Sequence, residues 1–89
     1  DTIFREILSN IPERQKEVLY AIAKDGEARQ VTSSAFIKRH RLASASAVQS
    51  AIKKLLDKDF ITEINKTYSL TDRLFALWIK TVYGTGFRL

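Results

Sequence analysis

The sequence predicts a mainly α fold with a small β-wing, a winged helix-turn-helix with an extra C-terminal helix, and three observations carry that prediction. Residues 32–58, TSSAFIKRHRLASASAVQSAIKKLLDK, read as two short helices joined by a tight turn. After Lys58 the apolar period drops from that of a helix to that of a strand, and two short β-prone segments follow with a polar turn between them. Charge is the third: residues 38–58 hold six Lys or Arg against Asp57 alone, while the rest of the chain holds nine of each sign. The whole formal charge of +5 therefore lies in the helix-turn-helix, where an anionic partner would be drawn.

Each element has its own signal. Ile3, Phe4, Ile7 and Leu8 describe a short amphipathic helix that closes before Ile11, because a residue preceding proline avoids the helical region. Pro12 suits the first position of the next helix, which runs to about Asp25, buries Val18, Leu19, Ile22 and Ala23, and stops at Gly26. Glu13, Arg14, Lys16, Glu17 and Lys24 form its outer face, with i,i+4 pairing expected among the charges. Arg29, Gln30 and Val31 have room only for a minimal extended segment of the kind that pairs with a wing. Thr32 then offers an N-cap to a helix ending near His40, with Phe36 and Ile37 as its apolar stripe.

Ser44 caps the second helix of the pair. Val48, Ala51, Ile52, Leu55 and Leu56 recur at three, four and seven on one face, and Ser46, Gln49, Ser50, Lys53, Lys54 and Asp57 occupy the other. Residues 60–64 and 68–70 are the wing strands, turning through Asn65, Lys66 and Thr67. Thr71 and Asp72 cap a last helix whose Leu74, Phe75, Leu77, Trp78 and Val82 are apolar on two sides, more than one modest core face needs. Gly84 and Gly86 end it, and Phe87, Arg88 and Leu89 form a tail. The expected organisation is a leading helix at 1–11, the domain with its C-terminal helix at 12–83, and the tail at 84–89.

Length and composition narrow the function. Eighty-nine residues allow one modest core and leave little room for a buried active site. With no Cys and one His, disulfides and thiolate metal sites are excluded and zinc lacks ligands. No nucleophile, base and orienter can be assembled, so catalysis is not expected of this chain, and neither a cofactor nor a small-molecule substrate is evident. No apolar run approaches a membrane span. A cytoplasmic protein in a reducing compartment is the expectation. The chain opens on Asp1 and has no Met, which suggests a processed product or a piece cut from a longer protein.

The run Ser44-Ala45-Ser46-Ala47-Val48-Gln49-Ser50-Ala51-Ile52-Lys53-Lys54-Leu55, then Phe60-Ile61, then Tyr68-Ser69-Leu70-Thr71-Asp72-Arg73-Leu74-Phe75-Ala76-Leu77-Trp78-Ile79, resembles the C-terminal winged-helix domain of prokaryotic AAA+/STAND-type P-loop ATPases. The resemblance covers roughly residues 12 to 80, and Tyr68-x-Leu70-x-Asp72-x-x-Phe75-x-x-Trp78 is its most specific part. Arg73 departs from it, since the family often has proline there. A GxxxxGK[ST] phosphate loop cannot be written with Gly26, Gly84 and Gly86 as the only glycines. The resemblance therefore implies that the nucleotide site of a parent ATPase lies outside this chain.

Ser46, Gln49, Ser50 and Lys53 stand where a major-groove reader places its base contacts, Gln toward adenine and Lys toward guanine or phosphate. A plain solvated helix face reads the same way, and the small residues Ala45, Ser46 and Ala47 suit protein packing as well. Lys38, Arg39 and Arg41, with Lys54 and Lys58, are candidates for phosphate contact, and Lys66 at the wing tip for the minor groove or backbone. Helix-end charge alone accounts for the first three. Tyr68, Phe75 and Trp78 read as core rather than a stacking platform, Asp72 as a cap, and His40 as no ligand. Three partners stay open: duplex DNA, the parent's own ATPase core, and another protein. A free-standing DNA-binding regulator is the alternative to a module of a larger ATPase.

Overall fold

The computed structural model describes residues 2–83. In chain order they form α1 (Thr2–Ser9), α2 (Glu13–Asp25), β1 (Ala28–Arg29), α3 (Ser34–His40), α4 (Ala45–Asp57), β2 (Ile61–Ile64), β3 (Thr67–Leu70) and α5 (Arg73–Tyr83). The predicted helix end at Gly84 and Gly86, and the tail of Phe87, Arg88 and Leu89, lie outside the described residues. α2 is the central element: α4 and α5 both pack on it, and the sheet closes against its end. Leu19 and Ile22 from α2, Leu55 from α4 and Ile79 from α5 are fully buried, together with Phe36 and Val48 from the helix-turn-helix. Burying each such side chain contributes about 1.5–3 kcal/mol, which outweighs the weak helical bias of segments this short.

The boundaries differ from those expected by one or two residues. Pro12 is the N-cap of α2, one position earlier than expected; its ψ of 150° is extended, and its carbonyl accepts the Lys16 N–H at 2.9 Å. Gly26 ends α2 with φ +79°, a left-handed conformation that favours glycine. β1 lies at Ala28–Arg29 rather than 29–31, because Gln30 turns to φ +50° and the Ser33 N–H then bonds the Gln30 carbonyl at 3.0 Å. Thr32 sits inside that turn. The cap passes to Ser33, whose Oγ accepts the Phe36 N–H at 3.1 Å. The charge pairs on α2 are i,i+3, Lys16 with Glu13 and Arg14 with Glu17, not i,i+4.

Arg41 closes α3 in the left-handed region, φ 56° and ψ 47°, and the Leu42 N–H returns to the Ile37 carbonyl at 2.9 Å. Ser44 then caps α4 as expected: its Oγ accepts the Ala47 N–H at 3.1 Å. The three strands form one antiparallel sheet of order β1-β3-β2, with Ala28 opposite Tyr68 and Ile64 opposite Thr67. The wing turn is therefore two residues, not three. Asn65 and Lys66 both have positive φ, 51° and 61°, the pattern of a type I′ turn whose twist matches the strands.

Asp72 caps α5 by accepting the Leu74 and Phe75 N–H groups on Oδ1, at 2.9 and 3.2 Å. The surplus apolarity of α5 is met in part by α1, where Phe4 lies 5.0 Å from the Phe75 ring and 5.5 Å from Trp78. Leu74 and Leu77 stay 71% and 61% exposed. The five helices and three-stranded sheet make a winged helix-turn-helix, with α3 and α4 as the pair and β2 and β3 as the wing.

Candidate nucleic-acid interface

Between α4 and the wing runs an open groove of about 1110 Å³. Gln49 and Lys53 of α4 form one wall, Asn65 and Lys66 of the hairpin turn form the opposite rim, and Arg29 of β1 closes the end. The helical spacing that buries Val48, Ile52 and Leu55 turns Ser46, Gln49, Ser50, Lys53 and Lys54 outward, and all five are exposed. Of these, only Gln49 and Lys53 reach the groove; Ser46, Ser50 and Lys54 stand on the helix surface beside it. Lys66 comes to the same groove because the two-residue turn places it at the wing tip.

Lys38 and Arg41 are exposed at the end of α3, outside the groove. Neither makes an ion pair among the described residues, and the same holds for Lys53, Lys54 and Lys66. Arg39 is the exception. Its Nη2 donates to Asp25 Oδ2 at 2.7 Å and its guanidinium lies 5.5 Å from the Phe36 ring centroid, so it ties α3 to the end of α2. Lys58 is also engaged, donating through Nζ to Gln15 Oε1 at 3.3 Å.

His40 completes the Asp25 corner. Its side chain is 6% exposed, packs 4.6 Å from the Phe36 ring, and holds Nε2 at 3.1 Å from Asp25 Oδ1 without the alignment of a hydrogen bond. No group of His, Cys, Asp or Glu able to hold a metal occurs among the described residues.

Among the groove residues with polar or charged chemistry that the sequence alone did not single out, three bear on binding directly. Arg29 and Asn65 are two, and the signal for both was their place in or beside the segment that pairs as the wing. Tyr68 is the third: Phe75 is buried and Trp78 packs against the core, but Tyr68 is half-exposed in the groove. Burial holds its hydroxyl above the ordinary value of 10.0, and the charge and hydrogen bond of Glu63, directly across the strand pair, push it further up. Glu63 and Glu27 line the groove beside Arg29, Lys53 and Lys66, so the groove itself carries two carboxylates against three cations.

A family model described as a probable winged helix domain matches residues 2–81. The chain belongs to that family. The match includes α1, which packs on α5 in this winged helix domain. No curated protein and no solved structure matches the chain. A winged helix domain is a DNA-binding or regulatory module, and no helix of the described residues is long and apolar enough to cross a membrane.

Proposed function

We propose that this winged helix domain binds duplex DNA, with α4 laid along the major groove and the wing tip on the adjacent backbone. The observation that carries the reading is the set of cations without ion pairs, Lys53 and Lys66 in the groove with the exposed amide of Gln49 and Lys54 on the helix surface beside it. Lys and Arg side chains of this kind neutralise phosphates, and an outward amide on a recognition helix pairs with the adenine edge. Lys38 and Arg41 extend the basic surface to the end of α3, while Arg39 serves the fold. Glu27 and Glu63 repel backbone phosphates and so restrict the register in which a duplex can lie.

The test is a titration of a fluorescent mixed-sequence duplex at about 50 and 200 mM salt, the range over which phosphate contacts weaken strongly. Three to five phosphate contacts predict a fall in affinity of about 40- to 500-fold across that range. Lys53→Glu with Lys54→Glu abolishes the binding and leaves the helical circular dichroism unchanged.

A second reading has its own observation. Leu74 and Leu77 are i,i+3 neighbours exposed on α5, outside the groove. With the likeness of residues 68–78 to the ATPase-associated pattern, they make α5 the face that docks on the ATPase core of a cytoplasmic parent protein. Leu74→Ser with Leu77→Ser then removes association with that core in a pull-down and leaves duplex binding intact; retained association excludes this face. Both readings describe a non-catalytic module.

A further inference from the structure

We propose that Arg29 is the phosphate clamp of the groove, a role that rests on the DNA-binding reading above. Arg29 precedes the helix-turn-helix by several residues and belongs to the two-residue strand β1, which looks too short to do more than close the sheet. Its position says otherwise. β1 pairs with β3 so that Arg29 lies opposite Thr67, the residue that follows the wing turn, and both line the groove with Lys53 and Lys66. Arg29 Nε donates to Thr67 Oγ1 at 3.2 Å.

That bond uses one donor and holds the Nε edge of the guanidinium against the wing. The two terminal nitrogens have no partner among the described residues, and no carboxylate pairs with them although Glu27 and Glu63 share the groove. A planar fork held by its Nε and open at both Nη positions is the arrangement that takes a phosphate through two parallel hydrogen bonds. Lys53 and Lys66 approach a phosphate as point charges on flexible stems, so they supply attraction without orientation. The chemistry recognised is a phosphodiester of the duplex backbone lying between α4 and the wing. Arg29 therefore sets where the strand sits, while Gln49 meets the base edge.

The experiment measures duplex affinity over a series of salt concentrations for the wild-type domain and for Arg29→Ala, Arg29→Lys and Thr67→Val. Loss of one phosphate contact lowers the slope of log affinity against log salt by about 0.9, and Arg29→Ala is expected to show that change with a roughly tenfold loss of affinity. Arg29→Lys keeps the slope and loses affinity, because the charge stays and the fork is gone. Thr67→Val keeps the slope with a smaller loss. Wild-type slope and affinity in Arg29→Ala, or full affinity in Arg29→Lys should the alanine variant fail to fold, overturns the clamp alone. Absence of wild-type binding at the lowest salt overturns the DNA-binding reading and the clamp with it.

Discussion

At Ser44 one hydroxyl decides where α4 begins, since the Ala47 N–H it accepts would otherwise have no partner. Ser44→Ala is expected to cost about 1 kcal/mol, read as a lower urea midpoint with an unchanged denaturant slope. That cap was legible because Ser44 is the hydroxyl residue four positions before Val48, where the apolar periodicity of α4 begins. The cap of α3 was not, because Thr32 and Ser33 are adjacent hydroxyls and only the backbone turn at Gln30 chooses between them. Tyr68 makes a second prediction at this scale. With its pKa raised, the stability due to the neutral phenol is complete below pH 10.0 and is lost as pH rises through the higher folded value. Glu63→Gln removes the charge and carboxylate bond that add to burial, so phenolate absorbance should then appear at lower pH. An unchanged titration would mean that burial alone sets it.

The wing shows how far an element can be read from its residues. Alternation over 60–64 and 68–70 located both strands, but the turn length followed from pairing Ile64 with Thr67, which no single-strand pattern specifies. Lys66 holds φ +61° there, a conformation unfavourable to any residue with a Cβ. Lys66→Gly completes the Asn-Gly pair preferred in this turn and should stabilise the domain by roughly 0.5 kcal/mol. The same change removes a wing-tip charge, so duplex affinity should fall while the melting temperature rises. A parallel rise or fall of the two would separate Lys66 from DNA contact. For α4 the burial of Val48, Ala51, Ile52 and Leu55 followed directly from period 3.6. The pairing of Arg39 with Asp25 did not, because it joins two helices across a turn and leaves no trace in spacing.

Across the molecule, the fold was legible because periodicity, caps and turn residues agree along the chain, whereas the groove is a tertiary object. Its walls come from β1, α4 and the wing turn, and a one-dimensional reading found the last two. Charge counting placed the whole net charge in residues 38–58. The structure then withdraws Arg39 into an ion pair with Asp25, brings Arg29 and Lys66 to the groove, and adds Glu27 and Glu63. The longest dimension, 32 Å, is close to one turn of B-form DNA, so a short duplex suffices as a probe of the proposed binding.

The most direct test of the account is therefore the salt-dependent titration of that duplex by the domain and by its Lys53→Glu, Lys54→Glu variant. Wild-type binding at about 50 mM salt is expected to fall by 40-fold or more at about 200 mM, and the folded double variant is expected to show none. Equal binding by both proteins would contradict the assignment of α4. No binding by the wild type at the lower salt would turn the basic face toward a protein partner.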